Sequence, residues 1–473
     1  MSAPDSGLLQ LSLTGLAQAI RSRKVSSVEA TRACIARAEQ VQPRLNCFVG
    51  IEAEQALKAA RLADRAVSAK RTLGLLHGVP LAHKDMYYRA GLVSNCGSAI
   101  MRGYRPAITA TVVERLQAAG AIWLGTLSMC EFAADATGNN ELWGHCRNPW
   151  NPAHITGGSS SGSGAALAAR ACFGALGSDT GGSIRLPAAF CGVTGIKPTY
   201  GRVSRYGAMP RVWSNDCVGP LARSARDCAR LLRVIAGRDP NDSTSSAEPV
   251  PDYESGLAAG IKGLRIAVPE NFFYDGVTAD VARAMEESLA ALRSLGARIV
   301  RVQVPDPQRL GELQALTGQC EAATLHARSM RERPQDFSVR VRRRLEAGYH
   351  IPAVTYLEAQ DLRAPVLTEF VRTVFGNADM LHTPMLPFPT PSIESCALQA
   401  DGTIPRLVGE VSRNAKPFNY LGLPAIALPG GFSDDRLPVG FQLVGRPFSE
   451  HLLLRAGQAF QSATDWHKLS PAL

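Results

Sequence analysis

Between Ser12 and about Ala69, apolar residues recur every three or four positions, at Leu16, Ile20, Ala30, Cys34, Ile35 and Ala38 among others, which predicts two or three helices. A short apolar run punctuated by Gly and Pro, Leu75–His83, then reads as a buried strand ending just before Lys84. A helix is predicted from Thr111 to Ala119, stopped by Gly120, and a second buried strand from Ala121 to Leu127. Asn148–Gly164 is too rich in Gly and Ser for a strand and reads as a loop, followed by a helix over Ala165–Ala171 and a short strand over Cys172–Leu176. That strand delivers a second Gly-rich turn, Ser178–Ser183. Farther on, strands are predicted at Leu264–Val268 and Ile299–Val304, around an amphipathic helix from Val281 to Leu295 that ends at Gly296. Ala425–Leu428 and Val439–Val444 read as two strands joined by a turn, with a helix from about Glu450.

The repeated alternation of helix and buried strand predicts a single large α/β domain with a mixed, twisted central sheet covered by helices on both faces. Residues 1–70 form a helical lead-in, 71–236 the core with both Gly/Ser-rich turns, 237–256 a linker or surface excursion, and 257–473 a back half that completes the sheet and the substrate pocket.

Composition narrows the classes. The chain of 473 residues is 45% hydrophobic and 19% charged, the balance of a soluble globular protein. Its net charge of +10 is spread along the chain, and the densest basic run, Arg340–Arg344, reads as a solvated helix face, so no nucleic-acid partner is expected. Eleven cysteines lie singly without a C-x-x-C pair, which argues against a metal site. No secretory signal pattern and no long apolar window occur, so a cytoplasmic location away from the membrane is expected.

Three nucleophile and anion patterns fail on inspection. The loop Gly157–Gly164 lacks the lysine of a Walker phosphate cradle, because Gly162 is followed by Ser163. Ser160 satisfies G-x-S-x-G, but His451 and His467 supply no convincing base. No lysine has a serine three residues before it, which removes the Ser-x-x-Lys arrangement. The turn Asp179–Arg185 is more informative: Gly181 and Gly182 before Ser183 let successive N–H groups converge on one point, which is how an oxyanion hole is made. An ordinary turn with Ser183 as a cap accounts for that heptapeptide equally well.

The longer stretch Gly157–Ser204, flanked by GVPLAHKD ending at Lys84 and Asp85, by EFAADATGNNELWGHCRNPWN from Glu131, and by FNYLGLPAIALPGGF and LPVGFQLVG, resembles the defining signature of the amidase signature family over essentially the whole chain. The resemblance implies a catalytic trio of Lys84, Ser159 as a bridging serine preceded by a cis peptide, and Ser183 as nucleophile. It implies oxyanion donors at Thr180, Gly181, Gly182 and Ser183, with Ser160, Asp179 and Arg185 holding the turns, no cofactor, and hydrolysis of a small carboxylic amide through an acyl-enzyme. Lys84 would have to be neutral, although an ordinary lysine is deprotonated in only about one molecule in a few thousand at pH 7. Burial is expected to supply that shift, with no carboxylate paired to Lys84. His83 is expected to pack beside the site without a catalytic part.

Within the resemblance, Met129, Trp213, Arg363 and the region Thr317–Tyr356 are expected to wall the substrate pocket, and a homodimer is the expected assembly. The ammonia-producing component of glutamyl-tRNA amidotransferase is the alternative. Arg363 fits the arginine with which that component holds glutamine's carboxylate, whereas Ser412 stands where its partner aspartate should be. This ranks a stand-alone amidase first. A catalytically dead scaffold is a further alternative, opposed by the presence of all three catalytic residue types.

Overall fold

The computed structural model describes residues 7–473. Eleven strands form one mixed sheet: β1 (Phe48–Ile51), β2 (Pro80–Lys84), β3 (Ile122–Leu127), β4 (Ala175–Asp179), β5 (Thr194–Lys197), β6 (Cys217–Ala222), β7 (Arg265–Pro269), β8 (Arg298–Val302), β9 (Met380–Pro384), β10 (Ala425–Phe432) and β11 (Pro438–Gly445). Their order is β1-β3-β2-β4-β6-β5-β10-β11-β9-β7-β8. Two parallel patches, β3-β2-β4 and β9-β7-β8, are joined through antiparallel strands in the middle.

The helical lead-in comprises α1 (Leu13–Arg21), α2 (Ser27–Leu45) and α3 (Ala53–Ser68), with β1 inserted between the last two. Helix α2 starts in a reciprocal cap, in which Ser26 accepts from the Glu29 N–H and Glu29 accepts from the Ser26 N–H. Helices α4 (Thr111–Ala118), α5 (Ser161–Ala168), α6 (Arg185–Cys191), α7 (Ala225–Ile235), α8 (Ala279–Ser294), α9 (Pro307–Glu332) and α10 (Val339–Gly348) follow, with five further helices toward the C-terminus. Both faces of the sheet are covered. Gly440 of β11 faces Ala189 of α6, while the next residue, Phe441, packs edge-on against Phe460 of the helix Glu450–Ala463; successive strand residues point to opposite faces. No helix among the described residues is long and apolar enough to cross a membrane.

Element boundaries near the site differ from expectation, the strand predicted at Leu75–His83 among them, which spans Pro80–Lys84. The strand predicted at Cys172–Leu176 lies at Ala175–Asp179, because its polar residues Ser178 and Asp179 are buried with hydrogen-bond partners. The first Gly/Ser-rich loop turns helical at Ser161. Gly162 is there for packing, since a Cβ on it would come within 2.6 Å of Ser128 N and 2.4 Å of the Cys47 carbonyl. Strands β1, β5, β6 and β9 are only four to six residues long, too short for the sequence pattern to separate from their surroundings, and it does not predict them. The segment 237–256 contains no helix or strand and is tied down by Asp239, which accepts from Ser204 and Thr111, and by Asp242, which accepts from the Arg205 N–H.

The basic run Arg340–Arg344 is a solvated face only in part: Arg343 is exposed and Arg342 half-buried, whereas Arg340 and Arg344 turn toward the core. Arg340 is 3% exposed and bonds Asp135, Glu141 and the Cys396 carbonyl, and Arg344 also pairs with Asp135, 3.1 Å away. A helix that packs its arginines onto acidic loops of the core looks, in sequence, like one that displays them.

Candidate active site

The parallel strands β2 and β4 run side by side, with His83 opposite Leu176. Each ends in a polar residue turned into the same spot: Lys84 at the end of β2 and Ser178 one residue before the end of β4. Lys84 Nζ lies 2.7 Å from Ser159 Oγ and 2.9 Å from Ser178 Oγ, and all three side chains are inaccessible or nearly so. Ser159 reaches the lysine from the loop before α5, where the Gly158–Ser159 peptide is cis. The loop is held to the second turn by the Ser160 N–H, which donates to the Ser183 carbonyl at 3.3 Å. Ser160 Oγ is shared between the Ser178 N–H and carbonyl, both at 3.3 Å, so this serine braces the two turns.

Burial sets the charge of Lys84. Removal from water pushes its pKa down from 10.5 to about 7, against a weaker opposing pull from Cys130, Asp216 and Asp179. No carboxylate forms an ion pair with it among the described residues. His83 is held neutral by burial, its pKa pushed down to about 3; its Nδ1 accepts the Leu176 N–H and its ring packs on Trp123. It is a strand-end packing residue, as its neighbours predict.

The second turn is organised by Asp179. Its carboxylate accepts from the N–H groups of Gly182, Ile184 and Arg185 and pairs with the Arg185 guanidinium at 3.0 Å, both side chains being fully buried. Burial would raise the Asp179 pKa, but the Arg185 charge and hydrogen bonds outweigh it and hold the carboxyl well below the usual range. Arg185 also donates to Gln442, Asn419 and the Ala415 carbonyl, which locks the turn to the C-terminal half. Gly182 has φ of +117°, and a Cβ on it would lie 2.8 Å from Ala415 Cβ, so only glycine fits.

This arrangement corrects the expected oxyanion set. The Gly182 N–H is committed to Asp179 at 2.8 Å and is not free for a ligand. Among the described residues, the N–H groups of Thr180, Gly181 and Ser183 donate to no protein acceptor, and all three residues line a cavity of about 280 Å³. Gln314 of α9 donates to the Thr180 carbonyl at 2.8 Å, and the Thr180 hydroxyl donates to Asp216 at 2.6 Å, which fixes the peptide planes of the turn.

The cavity walls differ from expectation in part. Gly318, Gln319, Ala322, Arg344 and Leu345 come from the anticipated region Thr317–Tyr356. Met129 does not reach the cavity; it is buried in the core and its carbonyl accepts from Asn140. Trp213 lines a second cavity with Arg205, Asp242 and Ser178. Arg363 is also excluded: it donates to the Ser214 carbonyl and to Asn215 Oδ1, at 2.6 and 2.9 Å, and lies over the Tyr420 ring. Its two terminal nitrogens are committed to a loop, and Nε has no partner. Sequence reasoning missed Ser178, Gln314, Arg211 and Lys416; only Ser178, on the strand leading to the turn, left a local signal.

Lys84, Ser159 and Ser178 thus form one buried hydrogen-bonded set, and the Ser160 N–H ties its loop to the turn that carries Ser183 and the unpaired N–H groups. Residues 29–454 match the Amidase family model, and the chain belongs to that amidase signature family. It is 38% identical over 486 residues to the A-type component of the glutamyl-tRNA(Gln) amidotransferase of Geobacter metallireducens, covering 97% of this chain and 98% of that one. A solved chain from a vestigial protein complex, described for the origins of an s-triazine catabolic enzyme, superposes with a TM-score of 0.90 at 34% identity, covering 96% of this chain and 98% of the other. A 6-aminohexanoate cyclic dimer hydrolase superposes with a TM-score of 0.88 at 28% identity, covering 98% and 99%.

Proposed function

We propose that the chain hydrolyses a carboxylic amide at Ser183. Neutral Lys84 accepts the Ser159 proton while donating to Ser178, Ser159 accepts the proton of Ser183, and Ser183 Oγ attacks the amide carbonyl. The N–H groups of Gly181 and Ser183, with Thr180 beside them, face the oxyanion. Ser159 then protonates the departing nitrogen, and water attacks the acyl-enzyme by the same relay. The observation that carries this reading is the 2.7 Å contact between Ser159 and a lysine whose pKa burial brings to about 7.

Two readings of the amide follow. The amidotransferase relatives favour glutamine as substrate, with this chain handing ammonia to a protein partner. The cavity favours a stand-alone amidase with another acyl group. Ser412 lines it where glutamine's ammonium would need an acid, Arg363 does not reach it, and its one carboxylate, Asp135, is already paired with Arg340 and Arg344. Ammonia release by the purified chain from glutamine and from a panel of aliphatic, aromatic and urea-type amides tests both. Turnover of glutamine above all other amides supports the amidotransferase reading; preference for an amide without an α-ammonium supports the stand-alone one. No ammonia from any of them, with or without partner proteins, refutes the hydrolase.

A further inference from the structure

We infer that the acyl part of the substrate carries a carboxylate or similar anion, bound by Arg211 and Lys416. The inference rests on Ser183 being the nucleophile. Arg211, Arg344 and Lys416 all line the cavity into which Ser183 opens, with Asp135 as its one acidic group. Arg344 is spoken for by Asp135 and the Ala134 carbonyl. The other two are not. Among the described residues, neither the Arg211 guanidinium nor the Lys416 ammonium makes an ion pair or a hydrogen bond to protein; Glu410, the acid nearest in sequence to Lys416, pairs with Arg406. Each of these part-buried cations loses hydration and feels the charge of Arg344, and an anion in the cavity they line relieves both costs. Burial and the nearby Arg344 charge lower the pKa of each, to about 10 for Arg211, and a counter-ion would offset both effects.

The backbone segments that carry both cations are tied to the turn of Ser183. The Arg211 and Val212 N–H groups donate to Asp216, whose other oxygen accepts from the Thr180 hydroxyl, so the Arg211 loop is pinned to the oxyanion turn. Lys416 opens the short helix that contains Asn419. Asn419 donates to the Asp179 carboxylate and carbonyl, and the preceding Ala415 carbonyl accepts from Arg185. An anion held by this pair sits at a set distance from Ser183, which is what orienting a short acyl chain requires. A monoamide of a small dicarboxylic acid has that chemistry, whereas a neutral aliphatic or aryl amide leaves both cations unpaired.

The test uses the full-length protein and the rate at which a fluorophosphonate labels Ser183, with succinamate and glutaramate as charged competitors and succinamide and glutaramide as neutral ones of nearly the same shape. The charged amides are expected to protect Ser183 at concentrations at least about tenfold lower than the neutral ones, and Arg211→Gln and Lys416→Gln are each expected to shrink that ratio toward one. Equal protection by charged and neutral amides, no protection by either charged amide, or a ratio unchanged in both variants overturns the inference. Failure of wild-type Ser183 to label at all is a different result: it refutes the nucleophile, and the anion site falls with it.

Discussion

Replacing Lys84 by Met separates catalysis from stability in opposite directions. The folded protein holds this lysine at a pKa of about 7 instead of 10.5, through burial. Below pH 7 the lysine is charged in both folded and unfolded chains, and the folded state bears the whole penalty, about 5 kcal/mol at 1.36 kcal/mol per pH unit. Between pH 7 and 10.5 the unfolded chain binds a proton that the folded chain does not. Wild-type stability therefore gains about 1.4 kcal/mol per pH unit from this residue across that window. Lys84→Met removes the term. It also removes the contacts to Ser159 and Ser178, each worth about 1 kcal/mol, but that loss is nearly independent of pH. The prediction is read from the slope: in urea unfolding, the stability of the variant minus that of wild type should fall by roughly 2–3 kcal/mol between pH 7.5 and 9.5. The variant should release no ammonia at any pH, while wild-type kcat/KM should rise with pH through about 7 and then level. Parallel stability curves, or an active variant, would refute a neutral buried base.

Other outcomes follow from the same contacts. Ser159→Ala should lower kcat by about a thousandfold or more with fold retained by circular dichroism, because it removes the hydroxyl that bonds Lys84 and that the proposed relay to Ser183 requires. Arg185→Met leaves Asp179 buried without its cation and should cost about 3–5 kcal/mol in urea unfolding, whereas a cost below 1 kcal/mol would show that the pair does not organise the turn. Gly182→Ala should destabilise by at least about 1 kcal/mol and reduce labelling of Ser183, since its φ and the Ala415 side chain exclude a Cβ. Arg363→Ala should lower the thermal midpoint with little change in KM; a tenfold rise in KM without loss of stability would return Arg363 to substrate binding.

Features encoded locally were legible in the sequence. The strand ending at Lys84, the Gly-rich turn at Ser183 and the hairpin β10–β11 each announce themselves within a dozen residues, because Gly, Pro and apolar runs act on their own neighbourhood. The pairing of Lys84 with Ser159 needed the resemblance, since the two are 75 positions apart. What the sequence hid lies in side chains that answer to distant partners. Arg340 and Arg344 look solvent-facing until Asp135 is placed beneath them, and Arg363 looks free until Ser214 and Asn215 occupy it. The commitment of the Gly182 N–H to Asp179 is likewise invisible in a string that only suggests a cluster of donors. Arg211 and Lys416, about two hundred positions apart in the chain, line one cavity because both segments are tied to one turn.

The central claim is that Ser183 becomes acylated. Quenching the protein during turnover of an amide, or after fluorophosphonate treatment, and locating the added mass by peptide mass spectrometry tests this directly. The account predicts one adduct, on Ser183, absent in Ser183→Ala and strongly slowed in Lys84→Met. An adduct on Ser159, Ser160 or a cysteine, or turnover that persists in Ser183→Ala, would contradict it.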